Sequence, residues 1–247
     1  MSKKSILITG ATSGIGKQLA LDYAQQGWNV IACGRNSSVL SELKNASQNI
    51  FTLRFDVTHY EDTVSTLSSL PFVPEVWVFN AGDCEYMDDG VVDAKLMARV
   101  MNVNVLGVVN CIEACQSYFV KGHKIVIVGS IASEMPLPRA EAYGASKAAI
   151  SYFARSLATD LKVKGIKVVT VFPGFVETRL TNKNTFDMPM IVTAVQASKA
   201  IRQQLNANKS DIYFPARFTS ILRFISLLPY SWQVWFASKL VSQKENK

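Results

Sequence analysis

The chain is poor in the residues that build small disulfide or metal scaffolds, with four cysteines and two histidines among 247 residues. Cys33, Cys84, Cys111 and Cys115 sit in apolar surroundings without CxxC spacing or a nearby histidine, which argues against a disulfide framework or a zinc site. No metal site is expected. Cys111 and Cys115 share a helix face and read as packing residues. His59 and His123 stand apart from every motif below and are expected in surface or loop positions without chemistry. Also missing are long Gly/Ser/Pro tracts, single-charge tracts and internal repeats, so one domain over residues 1–247 is expected, built on a single sizeable core. In the opening "MSKKSILITG" the apolar run before Thr9-Gly10 has only three residues, too few for a signal-peptide core or a membrane span; a cytoplasmic location is expected. A formal net charge of +7 suits a phosphorylated ligand, an anionic lipid or nucleic acid. Nucleic acid is set aside because no basic cluster interleaved with aromatics occurs.

What the chain does contain is a regular alternation of apolar runs and helical patterns. "SILITG" (5–10), "NVIACG" (29–34), "IFTLRF" (50–55), "VWVFN" (76–80), "KIVIVGS" (124–130), "KVVTVFPG" (167–174) and "DIYFP" (211–215) are short, largely β-branched or aromatic, and end in turn residues, as strands do. Segments 15–26, 37–46, 61–70, 94–120, 143–164 and 192–207 have helical lengths, several with apolar residues three and four apart, such as Leu19, Ala20, Tyr23 and Ala24. Nearly all-apolar strands alternating with helices predict an α/β fold: a Rossmann-like, doubly wound, mainly parallel sheet of seven strands with helices on both faces. Ligands of such a sheet bind beyond the carboxyl ends of the strands.

The first of those ends reads "TGATSGIG" (9–16). Glycines at 10, 14 and 16 between strand and helix permit a tight turn and let backbone N–H groups and the helix N-terminus approach a pyrophosphate, although the spacing is not GxGxxG. The second strand ends in "ACGRN", where Gly34 stands in the place of the acid that would bind a ribose 2′-hydroxyl and Arg35 follows. A guanidinium suits a 2′-phosphate, so NADP(H) is the preferred cofactor, with Lys17 a minor contributor and NAD(H) kept as the alternative. In "AYGASKAAI" (142–150), Tyr143 and Lys147 lie four apart, on one helix face, with small residues between them that leave room for a ligand. An ammonium within several ångströms of a phenol is expected to lower the phenol's pKa toward a range useful for proton transfer. Ser130 ends the fifth strand, where a doubly wound sheet presents reactive groups.

Taken in order, Thr9-Gly10-xxx-Gly14-Ile15-Gly16, Asp56-Val57, Asn80-Ala81-Gly82, Asn104, Ser130, Tyr143-xxx-Lys147 and Pro173-Gly174-xxx-Thr178 resemble the motifs of the classical short-chain dehydrogenases/reductases. The resemblance runs from residue 5 to about 178 and implies an oxidoreductase that interconverts a carbonyl and an alcohol by hydride transfer. It makes Ser130 the group that orients the substrate carbonyl, Tyr143 the general acid/base, Lys147 a contact to the nicotinamide ribose that tunes Tyr143, and Asn104 a member of a proton relay. It further implies cofactor contacts at Gly10, Thr12, Ser13, Gly14, Ile15, Gly16, Arg35, Asp56, Val57, Asn80, Ala81, Gly82, Tyr143, Lys147, Pro173, Gly174, Val176 and Thr178, and a homo-dimer or homo-tetramer formed through helices 94–120 and 143–164. One position departs from the pattern: Phe79 stands where the family often has a second asparagine.

Beyond residue 178 the resemblance loosens. Residues 179–210 read as a substrate lid region, in which "RLTNKNTFDMPMI" (179–191) offers an apolar inner face suited to a bulky or apolar substrate. The C-terminal segment 216–247 carries Phe218, Ile221, Leu222, Ile225 and Leu228 at helical spacing, then, after Pro229, Trp232, Trp235, Phe236 and Leu240, beside Arg217, Arg223, Lys239 and Lys244. Packing on the pocket or on another subunit is ranked ahead of peripheral membrane contact. A dinucleotide-binding sensor or scaffold without turnover is the alternative function. The joint presence of Ser130, Tyr143 and Lys147 favours the enzyme.

Overall fold

Strand and helix alternate along the whole chain in the computed structural model, which describes residues 3–88, 90–181 and 188–242. The elements are β1 (Ser5–Ile8), α1 (Gly14–Gln25), β2 (Asn29–Gly34), α2 (Ser37–Ala46), β3 (Ile50–Arg54), α3 (Tyr60–Leu67), β4 (Val76–Phe79), α4 (Ala94–Met101), α5 (Gly107–Cys115), β5 (Lys124–Val128), α6 (Glu141–Lys162), β6 (Lys167–Pro173), α7 (Ala194–Asn206), β7 (Asp211–Phe214), α8 (Ala216–Ser226) and α9 (Tyr230–Ser242). Residues 182–187 of the expected lid and the basic end of the tail after residue 242 lie outside the described residues.

The strands form one sheet in the order β3-β2-β1-β4-β5-β6-β7, and every pair in it is parallel, one step stricter than the mainly parallel expectation. Period-two alternation divides the strand residues between two cores. Ile6, Ile8, Val30, Ala32, Val78, Val126 and Val171 face one side, with Leu19, Ala20, Tyr23 and Ala24 of α1. Leu7, Ile31, Trp77, Phe79, Ile125 and Ile127 face the other, with Cys111, Ile112 and Cys115 of α5. Because both faces are covered, the central strands β1, β2, β4 and β5 are apolar apart from their first residues, while the edge strand β3 keeps Thr52 and Arg54. The chain winds outward through β2 and β3, then returns to β4 on the other side of β1, so the crevice beyond β1 and β4 is the switch point where a ligand fits.

Two expectations change. The helix expected over 94–120 is interrupted by a π-helical turn, Asn102–Leu106, and ends in a 3-10 turn, Gln116–Tyr118. The run Ala94–Tyr118 is long and apolar enough to cross a membrane, yet its Val100, Asn104, Val108, Cys111, Ile112 and Cys115 are buried in the protein. The cysteines serve as packing, as expected: Cys33, Cys111 and Cys115 are buried, and burial pushes the Cys115 thiol up to about 12. His59 is exposed, as expected. His123 is the exception. It is buried beneath Trp77, whose indole Nε1 donates to His123 Nδ1 at 3.3 Å. The isolation of His123 in sequence concealed a contact 46 residues away.

Burial holds the His123 imidazole below its ordinary pKa, against a weaker upward pull from Glu75. The neutral ring accepts the indole proton, so the folded state prefers the deprotonated form; its contribution is present above about 6.5, the ordinary histidine value, and is lost as pH falls through the lower folded value. Thermal unfolding between about pH 7 and about pH 5 should therefore show wild-type stability falling more steeply than that of His123→Gln, whose amide does not titrate.

Candidate active site

The site is assembled where the ends of β1 and β4 meet. Thr9 Oγ1 accepts from the backbone N–H groups of Asn80 and Ala81 at 3.0 and 3.1 Å, and Asn80 Nδ2 donates to the carbonyls of Thr9 and Gly10 at 3.1 and 3.3 Å. The space is so tight that a Cβ on Gly16 would lie 2.4 Å from the Gly10 carbonyl oxygen, and Gly10 itself turns at φ +66°. The turn then delivers the chain into α1, whose N-cap Ser13 makes no side-chain cap and whose first turn holds no acidic residue. Those N–H groups and the positive end of the helix suit a pyrophosphate.

A cavity of about 1530 Å³ runs along this crevice. Of the residues expected to bind cofactor, Gly10, Thr12, Ser13, Gly14, Ile15, Arg35, Asn80, Ala81, Gly82, Tyr143, Lys147, Pro173, Gly174, Val176 and Thr178 line it. Gly16, Asp56 and Val57 do not. Gly16 serves the close strand-to-helix packing, and Val57 packs against Gly107, where a Cβ would come within 2.6 Å of Val57 Cγ2. Asp56 accepts from Arg35 Nη1 at 3.1 Å and from the N–H and hydroxyl of Thr58 at 3.0 and 2.8 Å. Partial burial opposes its charge, but the Thr58 bonds and Arg35 prevail and hold its carboxyl below the ordinary range. Lys17, expected as a minor phosphate contact, instead pairs with Glu42 at 3.2 Å. The lining of glycine turn, exposed Arg35 and buried Lys147 fits a dinucleotide phosphate.

At the inner end stand Ser130, Tyr143 and Lys147. Ser130 lies just past β5 as the N-cap of a short 3-10 turn, accepting from the Ala132 N–H at 3.1 Å, and its hydroxyl hydrogen-bonds the Tyr143 phenol. Lys147 is buried one turn along α6 and donates to the Val128 carbonyl at 2.9 Å, with Nζ 5.7 Å from the Tyr143 ring centre. The electrostatics differ from the expectation that the ammonium pulls the phenol down. Burial pushes Tyr143 above the ordinary tyrosine range, Cys84 adds to the rise and the Ser130 bond opposes it. Burial also lowers Lys147 to about 8 against a weaker pull from Cys84. With both groups withdrawn from water, desolvation outweighs their mutual attraction, and Tyr143 is held as a proton-bearing phenol.

Asn104 is fully buried in the π-helical turn and does not line the cavity. Its Oδ1 accepts from the Asp83 N–H at 2.8 Å, and its Nδ2 donates to the Asp83 carbonyl and to Ser146 Oγ, both at 2.9 Å. Ser146 in turn donates to the Tyr143 carbonyl at 2.7 Å. The side chain thus ties the turn after β4 to the helix that carries Tyr143 and Lys147.

The substrate end uses residues that the motifs do not mark. Asp83, Cys84 and Tyr86 follow β4, and Leu137, Pro138 and Arg139 precede α6; all line the cavity. The two loops are clipped together: Met87 N–H donates to the Arg139 carbonyl at 3.1 Å, and Arg139 pairs with Asp88 at 2.5 Å and lies 5.1 Å over the Tyr86 ring. Arg139 holds this position at φ 64°, a strained backbone for a residue with a Cβ. Phe175, Leu180, Met188 and Pro189 also line the cavity, while Met190 and Ile191, expected on the same apolar inner face, are exposed and do not line it. From the tail come Phe218, Leu222 and Ser238. Phe218 fills the space beside Gly174, where a Cβ would lie 2.7 Å from its ring. Nothing local in the sequence marks the loop residues, because their role depends on which loops the sheet brings together.

The short chain dehydrogenase family matches residues 4–189. An uncharacterised oxidoreductase of Myxococcus xanthus is 31% identical over 244 residues, covering 93% of this chain and 94% of its own length. Sulfoacetaldehyde reductase 2 of Chromohalobacter salexigens is 33% identical over 186 residues, 71% of this chain and 74% of its own. Among solved structures, the closed form of a serine dehydrogenase complexed with NADP+ superposes with a TM-score of 0.77 at 27% identity, covering 85% of this chain and 94% of that one.

Replacing Asn104 with alanine removes the acceptor of the Asp83 N–H and the amide that donates to the Asp83 carbonyl and to buried Ser146 Oγ. The expected loss is about 2–3 kcal/mol in urea unfolding, with faster hydrogen exchange at the Asp83 and Cys84 amides than in the wild type.

Proposed function

Because the chain belongs to the short-chain dehydrogenase family, we propose that it is an NADP(H)-dependent oxidoreductase interconverting a lipophilic carbonyl compound and its alcohol. The observation that carries this reading is the convergence of Ser130, Tyr143 and buried Lys147 on the cavity that the glycine turn also lines. In the reducing direction, the Ser130 hydroxyl donates to the substrate carbonyl oxygen and fixes its position. Tyr143, held protonated by burial, gives its proton to that oxygen as negative charge develops on it. Lys147, lowered to about 8, stands beside the phenol as the cation that stabilises it once the proton has left. The glycine turn, Arg35, Lys147 and the loop 173–178 would hold NADPH, which would supply the hydride when bound. Asn104 acts by position, holding the Asp83 turn against α6, and its part in any proton relay runs through that scaffold.

The walls favour an apolar substrate. Ile131, Leu137, Phe175, Leu180, Phe218 and Leu222 line the cavity that Tyr143 also lines. Sulfoacetaldehyde and serine, named in the relatives' activities, are small and polar. A binding-only sensor has no need of this buried catalytic cluster. The long helices of the family's oligomer contacts correspond to α4–α5 and α6, which expose Leu106 and Tyr152 and would join the subunits of a homo-dimer or tetramer.

Following NADPH absorbance against aliphatic and aromatic ketones and aldehydes should reveal turnover that Tyr143→Phe lowers by roughly a hundredfold or more while NADPH still quenches protein fluorescence. Undiminished turnover in that variant would reject the mechanism. Arg35→Ala should weaken NADPH binding by about tenfold or more and leave NADH binding nearly unchanged, since only the former offers a 2′-phosphate. Equal effects on both cofactors would remove Arg35 from the selectivity.

A further inference from the structure

The helices α8 and α9 have two apolar faces. On the inner face, Leu222 and Ala237 are buried with Ile131 and Met135, and Phe218 and Ile225 pack beside them. Phe218 and Leu222 are cavity wall as well. This inner face meets the expectation that the tail packs on the pocket. On the outer face, away from Leu222, Ile221 and Phe224 of α8 and Leu227 just past its end are exposed at three-residue intervals, and Tyr230, Trp232, Val234 and Trp235 are exposed around α9, Trp232 and Trp235 on the side opposite Ala237. Phe224, Leu227 and Trp232 are 68%, 84% and 58% exposed. A surface helix that buries one apolar stripe ordinarily turns a polar one to water. Here Ile221, Phe224, Leu227, Trp232 and Trp235 are exposed among Arg217, Ser220, Arg223 and Ser231, a density that single exposed apolar residues elsewhere on the protein do not reach.

Charge indicates what covers this face. From residue 212 to residue 244 the chain has no aspartate or glutamate, while Arg217, Arg223, Lys239 and Lys244 are cationic. Arg217 and Arg223 are exposed beside the apolar run. A second copy docking through the same face about a two-fold axis would set the cationic Arg217 and Arg223 of one copy against those of the other, although Arg223 also stacks 4.2 Å over Tyr213, where Glu134 and Asp211 lie near. An anionic bilayer complements the arginines, and tryptophan and tyrosine favour the headgroup boundary, where one end of the ring is wet and the other apolar. The helices have 11 and 13 residues with Pro229 between them, too short to span, so they would lie in the plane of the interface. We propose that the outer face of α8 and α9 docks the protein on anionic lipid bilayers. Because the inner face of α8 walls the cavity, docking brings that cavity to the membrane surface. The proposal is independent of the redox reading, since binding to lipid requires no turnover.

The test is sedimentation of the full-length protein with vesicles of phosphatidylcholine alone or mixed with phosphatidylglycerol. The expected result is binding to the mixed vesicles that weakens as salt rises, and a loss of at least roughly tenfold in the variant Phe224→Ser/Leu227→Ser/Trp232→Ser. None of these three residues lines the cavity. The variant should keep the wild-type circular dichroism, and Arg217→Gln/Arg223→Gln, which leaves the apolar face intact, should lose the preference for phosphatidylglycerol. Protein left in the supernatant with mixed vesicles at low salt would overturn the proposal. So would a concentration-dependent dimer that the triple variant abolishes without any vesicle binding, because the face would then belong to a second copy.

Discussion

The rest of the molecule depends on the close crossing of backbone between the ends of β1 and β4. There the Thr9 hydroxyl and the Asn80 amide cross-link two turns so tightly that side chains at Gly10 and Gly16 would collide with them. This crossing is the point at which the sheet reverses its winding direction. It sets the N-terminus of α1 against the open end of the sheet, and it starts the loop of Asp83 and Cys84 toward Tyr143. A looser packing here would separate the phosphate cradle from the acid/base group, which in sequence lie more than a hundred residues apart.

Burial is the second organising constraint, and it acts on chemistry as well as stability. Tyr143 and Lys147 are removed from water together, and each is pushed toward its neutral form. The phenol is thereby held in its protonated form, while Lys147, lowered to about 8, still carries its charge at neutral pH. Buried polar groups need partners, and here they have them: Lys147 on the Val128 carbonyl, Asn104 on Asp83 and Ser146, Ser130 on Ala132 and Tyr143. The same bonds that satisfy these groups hold the reactive atoms in register.

Much of this was legible in the chain. The strands read correctly because a sheet covered on both faces demands apolar residues at nearly every position, a pattern few other structures impose. Ser130, Tyr143 and Lys147 could be paired because helix spacing and strand ends are local properties. The π-helical turn around Asn104 was not visible, since its apolar pattern matches an ordinary helix and the deviation is fixed by the Asp83 backbone. His123 lies in a loop, as expected, but its burial could not be read because its partner, Trp77, is on a neighbouring strand. In the fold, Lys17, expected as a minor contributor to cofactor preference, pairs with Glu42, and Asp56, placed by motif, pairs with Arg35 of the cavity lining.

The amino-acid order by itself determined the winding of the sheet, the glycine turn and the placing of Tyr143 and Lys147 on one helix face, because these follow from periodicity, backbone freedom and four-residue spacing; the roles expected of the pair came from the family resemblance. Tertiary structure alone decided the shape of the substrate end, where the loops around Tyr86 and Arg139 clip together and Phe218 arrives from the far end of the chain. It also decided that the tail buries one apolar face and leaves the other outward. Helical spacing records that a helix has apolar faces, but which face meets the protein depends on the surface it docks against.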